Sequence, residues 1–99
     1  MKLPKYMDFR GFLSLQILHQ LNKKRLCGDE LASIIGVKKS GKLTPGTIYP
    51  ALKFLRKSKL ISLKQKGRKK IYFLTKKGLT EYRISKKLFK NMFKDIIKK

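Results

Sequence analysis

The residues from Gly46 to Gly78 read GTIYPALKFLRKSKLISLKQKGRKKIYFLTKKG, and their apolar period changes midway. Ile48, Leu52 and Leu55 recur at helical spacing, whereas Leu60–Gln65 and Lys69–Leu74 read as two short strands around Lys66-Gly67-Arg68. A helix running directly into a tight hairpin leaves few folds open. The segment also contains no Asp or Glu, and it lies within a fifty-residue run, Leu31 to Thr80, with fourteen Lys or Arg and no acid. The positive charge therefore belongs to secondary structure and not to a loose tail. A folded surface of one sign is the electrostatic footprint expected of a protein that holds nucleic acid.

Ninety-nine residues with 41% hydrophobic content suffice for one domain, 1–99, with a single modest core and no separate catalytic lobe. The formal charge is +22, from 27 Lys and Arg against Asp8, Asp29, Glu30, Glu81 and Asp95. Self-repulsion on that scale opposes compaction unless a polyanion or salt neutralises it. Disorder would need few aromatics and large aliphatics, yet Leu, Ile, Phe and Tyr recur throughout. Cys27 is the only cysteine, which excludes an intramolecular disulfide, leaves an intersubunit one open, and suits a reducing compartment. Asp8, Arg10, Ser14 and Gln16 interrupt the N-terminal apolar residues, and no run approaches membrane-spanning length. The expectation is a soluble, cytoplasmic protein without a membrane partner. Catalysis is not expected, because His19 lies within a helix with no carboxylate nearby to orient it, and one His, one Cys and scattered acids assemble no metal site. No cofactor is expected either.

A first helix is expected from Asp8 to about Lys23, with Phe9, Phe12, Leu13, Leu15, Ile17, Leu18 and Leu21 spread over most of its circumference. A chain this short has few elements to cover it, so a second copy is expected to bury part of it. Gly28–Ile35 reads as a second helix, with Asp29 and Glu30 complementing its dipole and Gly36 as a left-handed stop. Residues 37–43 form a basic turn. Thr44 then serves as N-cap and Pro45 as first residue of the third helix, which either starts nearer Gly46 and Thr47 or bends at Pro50. Thr75 caps a last helix, 76–98, whose Leu79, Tyr82, Leu88, Phe89, Met92, Phe93, Ile96 and Ile97 form a wide stripe opposite Lys86, Lys87, Lys90 and Lys94. At ~1.5 Å per residue this helix exceeds ~30 Å, longer than the core beneath it, so its far end needs a partner.

The fold class is thus mostly α (α+β): a winged helix-turn-helix with a two-stranded wing and a long C-terminal dimerisation helix. A helix ~10–12 Å across fits the ~12 Å major groove of duplex DNA, and a ribbon reaches the adjacent backbone or groove. The residues Gly46-Thr47-Ile48-Tyr49-Pro50-Ala51-Leu52, then Phe54-Leu55, Leu60-Ile61, Arg68-Lys69-Lys70-Ile71-Tyr72 and Leu74-Thr75-Lys76-Lys77-Gly78 resemble the PadR family of winged-helix transcriptional regulators. The resemblance extends from Phe12 to about Phe93. Two positions depart from the family pattern: Asp29 stands where an aromatic is usual after Gly28, and Lys59 replaces the usual Gly before the first wing strand.

The resemblance implies a homodimer joined through its terminal helices, with two recognition helices in successive major grooves about 34 Å apart, on an inverted repeat. It implies a sequence-specific DNA-binding regulator, a repressor, reading DNA through helix 44–58 and wing 64–70. Thr47, Tyr49 and Lys53 are the expected groove contacts; Lys42, Thr44 and Arg56 lie near phosphates; Lys66, Arg68, Lys69 and Lys70 hold the wing on the backbone or in a minor groove. Phe9, Phe12, Leu88, Phe89, Met92, Phe93 and Ile96 are the expected dimer interface. PadR-like dimers can hold small aromatic effectors between subunits, and Phe9, Phe12, Phe89 and Phe93 could line such a gap, with aromatic core packing as the alternative. Plainer roles stand beside two of these residues: Tyr49 packing on the second helix, and Tyr72 in core packing. The rival function is a winged-helix RNA-binding or ribosome-associated protein, although RNA recognition favours exposed aromatics and Tyr49 is the main candidate. Membrane attachment by the last helix is weaker, because dimerisation already uses its apolar stripe.

Overall fold

A computed structural model describes residues 9–37 and 45–98, apart from the side chains of 9–11, 37 and 45. Lys42 and Thr44, the basic turn and the Phe9 side chain lie outside the described residues. Four helices and three strands follow in the order α1 (Phe9–Lys23), β1 (Leu26–Cys27), α2 (Gly28–Val37), α3 (Pro45–Lys57), β2 (Ile61–Lys66), β3 (Lys69–Leu74) and α4 (Lys76–Ile97). The strands form one antiparallel sheet in the order β1-β3-β2, with Leu26 opposite Tyr72 and Ile61 opposite Leu74. The wing is the two-stranded β2–β3 hairpin, and β1 adds a third strand to its sheet on the β3 side. A pair of residues between two helices has too little length to show a period, so β1 is set by its pairing with β3.

α1 is the central helix. Leu13, Ile17, Leu18 and Leu21 are buried together with Leu31 and Ile35 of α2, Ile48, Leu52 and Leu55 of α3, Ile61, Tyr72 and Tyr82. The chain's own elements cover most of α1, which leaves the exposed Phe12 as the part that a second copy was expected to bury. α2, α3, α4 and β3 of the same chain all pack on it, and of the described large apolar side chains on α1 only Phe12 is counted exposed, at 36%. Gly36 is not a left-handed stop: it is buried inside α2, which continues to Val37. α3 begins at Pro45 and proceeds through Pro50, which lies on the exposed side of the helix. Pro50 has no N–H for the Gly46 carbonyl, so one helical hydrogen bond is missing on the side facing solvent.

Two junctions fix how the last helix meets the rest. α3 ends in paired hydrogen bonds from Leu60 N to Leu55 O (3.0 Å) and from Lys59 N to Arg56 O (2.9 Å), the Schellman closure, which needs a left-handed residue at Lys59. Lys59 has φ 64°, which explains why glycine suits this position. Next to it, the Thr75 hydroxyl lies 2.7 Å from the Lys59 carbonyl and 3.1 Å from that of Leu60, and accepts from the Gly78 N–H at 3.0 Å. A Cβ on Gly78 would fall 1.9 Å from the Leu60 carbonyl oxygen. The LTKKG sequence is therefore a docking joint: Thr75 caps α4 and ties it to the α3–β2 corner, and Gly78 allows the close approach. Among the described residues no helix is long and apolar enough to cross a membrane.

Candidate nucleic-acid interface

α3 divides cleanly into two faces. Ile48, Ala51, Leu52 and Leu55 are buried, and Thr47 is half-buried, while Tyr49, Lys53, Arg56 and Lys57 stand exposed. Tyr49 does two things at once. A Cβ on Gly28 would lie 2.8 Å from the Tyr49 hydroxyl, so its ring rests on the start of α2, yet 42% of the residue faces solvent. Glycine at position 28 makes room for the hydroxyl end of that ring, which packing on α2 holds in place. Tyr72, by contrast, is buried in the core at 4% exposure. Burial pushes its phenol up, helped by neighbouring Tyr49 and opposed by the Arg56 charge.

The wing turns at Gly67, whose φ of 62° beside a right-handed Arg68 gives the two-residue hairpin a glycine at its first central position, as in a type II′ turn. Every residue from Lys64 to Lys70 is exposed. The register pairs Lys64 with Ile71, Gln65 with Lys70, and Lys66 with Lys69. Side chains alternate along a strand, so Lys64, Lys66 and Lys69 share one face with Ile71 and Phe73, and Lys70 shares the other with Gln65 and Tyr72. On the first face the Arg25 guanidinium sits 4.7 Å above the Phe73 ring. Lys66 and Lys69, directly opposite, repel each other, an arrangement that favours a shared anion.

Tyr49, Arg68, Lys69 and Lys70 line one cleft between the start of α2, α3 and the wing. Lys53 and Arg56 lie further along α3, and Lys66 sits on the ribbon outside the cleft. Arg25 was not singled out from sequence; it joins the face only because β1 pairs with β3. The cleft has an acidic edge, where the Glu30 carboxylate accepts the Cys27 N–H at 2.9 Å and closes the first turn of α2. Hydrogen bonds from the Cys27 backbone and thiol hold the Glu30 carboxyl below its ordinary range; the Lys69 and Lys24 charges add to this and partial burial opposes it. Among the described residues no three of His, Cys, Asp and Glu come together as a metal site.

A family model described as the transcriptional regulator PadR-like family matches residues 17–84. Among solved structures, a transcriptional regulator from Clostridium thermocellum is similar with a TM-score of 0.79 and 23% identity, covering 90% of this chain and 93% of that one. A PadR family transcription regulator from hypervirulent Clostridium difficile has a TM-score of 0.74 and 28% identity, covering 87% of this chain and 95% of its own. Bacillus subtilis PadR in complex with operator DNA has a TM-score of 0.63 and 28% identity over 78% of this chain and 46% of that longer one. No curated protein matches the chain.

Proposed function

Because the chain belongs to the PadR-like family of transcriptional regulators, we propose that it binds duplex DNA sequence-specifically, as a cytoplasmic homodimer that represses by occupying an operator. One observation carries the reading: Tyr49 of α3 and Arg68, Lys69 and Lys70 of the wing meet around one cleft, all four from an acid-free stretch of the chain, with Asp29 and Glu30 at the cleft's far edge. Bacillus subtilis PadR, which matches most of this chain, was solved with operator DNA, and this supports duplex DNA over RNA as the ligand. Thr47, Tyr49 and Lys53 act as the base-facing set. Arg56, with Lys42 and Thr44 ahead of α3, holds flanking phosphates. Arg68, Lys69 and Lys70 at the cleft, with Lys64 and Lys66 on the ribbon, hold the wing on the backbone.

The homodimer rests on the uncovered part of α4. Its buried residues are Gly78 and Tyr82, both near its start, whereas Leu88, Met92, Phe93 and Ile96 are 61%, 43%, 42% and 68% exposed. Phe12 stacks on Phe89 with centroids 5.6 Å apart, and Phe89 meets Phe93 at 4.3 Å, which carries the apolar strip from α1 onto α4. Water does not favour such a strip, and a second copy would cover it. An aromatic effector between subunits has no comparable support, since these rings already pack on one another.

Selection of bound duplexes from a random pool, with structured RNA as competitor, tests the reading. An inverted repeat with half-sites about one helical turn apart should emerge. Enrichment of no sequence, or displacement by RNA at equal concentration, would overturn it.

A further inference from the structure

We propose that the outer face of α4 is a second, non-sequence-specific surface for the backbone of duplex DNA, so that one protein assembly joins two DNA segments. Lys76, Arg83, Lys87, Lys90 and Lys94 follow one another at intervals of seven, four, three and four residues, and all are exposed. At about 100° per residue these intervals place all five within a narrow arc, a line of cations ~27 Å long. Lys98 extends it just past the end of the helix. Tyr82, Phe89, Met92 and Ile96 fall on the opposite side of the helix, with Phe93 between them and the line. Neither acid of α4 neutralises it. Glu81 lines the groove against Ser14 and Leu18 of α1, and Asp95 lies about a quarter-turn away from the line.

A solvated helix face normally mixes signs. Here Arg83–Lys87, Lys87–Lys90 and Lys90–Lys94 are like-charged neighbours at i, i+3 and i, i+4, each of which destabilises the bare helix. A straight cationic line of this length fits a straight polyanion, and duplex DNA carries one charge per ~1.7 Å of axis. The line has no aromatic side chain and only one Arg, so it can neutralise phosphates but offers little to read bases. It shares no residue with the cleft at Tyr49 and the wing. The inference rests on that cleft being the first DNA surface, and the experiment reads the two surfaces separately.

A biotinylated duplex on beads is saturated with the full chain, washed, and offered a fluorescent duplex. The stripe variant R83Q/K87Q/K90Q/K94Q is compared with the wing variant K64Q/K66Q/K69Q/K70Q. Wild type should capture the second duplex, and the stripe variant should hold the first duplex yet capture the second about tenfold less or worse. Without DNA, the stripe variant should melt no lower than wild type, since its substitutions remove repulsion from an exposed face. Capture by the stripe variant at the wild-type level, or no capture by wild type, overturns the proposal. So does stripe-dependent binding to anionic phospholipid vesicles without second-duplex capture. Failure of the wing variant to weaken binding of the first duplex would instead count against the cleft.

Discussion

Lys59 adopts a backbone conformation that costs a lysine and would cost a glycine almost nothing. A left-handed L-residue is disfavoured by ~1–2 kcal/mol, partly offset because glycine loses more entropy on folding. Lys59→Gly should therefore stabilise the chain by about 0.5–1 kcal/mol, read as a rise of a few degrees in Tm by circular dichroism. Gly78→Ala should do the reverse and more strongly, by ~2–3 kcal/mol, because a Cβ placed 1.9 Å from the Leu60 carbonyl oxygen forces α4 off its joint. The two titrating groups act at opposite ends of the pH scale. Glu30 is held ionised more firmly folded than unfolded, so its contribution is complete above about pH 5 and is lost as pH falls through the folded carboxyl's lower value. Tyr72 is held neutral, so its contribution is complete below about pH 10 and is lost as pH rises through the folded phenol's higher value. Urea melts against pH should therefore show Glu30→Gln flattening the acid limb and Tyr72→Phe the alkaline limb. Thr75 as a cap was legible from sequence, because capping depends on local spacing. The positive φ at Lys59 was not, since a lysine carries no sign of it.

At the scale of elements, α3 and the wing divide the work of binding by their chemistry. The wing offers cations on a ribbon, which neutralise phosphates, whereas Thr47 and Tyr49 offer hydroxyls with fixed direction. Lys66→Gln and Lys69→Gln should each lower affinity similarly for all sequences and reduce the salt slope by about one. Tyr49→Ala should instead relax the preference at one position of the selected site and cost ~1–3 kcal/mol against the preferred base. Fluorescence anisotropy across a salt series and a panel of single-base variants separates the two outcomes. An equal effect of Tyr49→Ala on every duplex would reduce its role to packing on Gly28. The buried stripe of α3 was readable because its period is local; the three-stranded sheet was not, because Leu26 and Cys27 become a strand only when β3 lies beside them.

For the whole molecule, the question is what covers the end of α4. The core needs α4 only as far as Tyr82, so charge placed further along should spare the fold and break the assembly. Leu88→Lys with Met92→Lys should leave the helical circular dichroism and the α1-centred core in place while the mass measured by light scattering falls from dimer to monomer. Operator affinity should fall with it, because two linked reading heads gain from effective concentration. An unchanged mass in the variant, or a wild-type mass of one chain, would remove the dimer. The order of the four helices and the hairpin, the stripe that anchors α3, the glycine turn of the wing, the cap at Thr75 and the basic sign of the surface were set by the sequence itself, since each depends on residues close together in the chain. Tertiary structure alone decided that α1 is buried by its own chain, that Tyr49 leans on Gly28 beside Arg68 and Lys70, and that Gly78 admits the Leu60 carbonyl. Each of those contacts joins residues far apart in sequence, and no local period records which distant surfaces will meet.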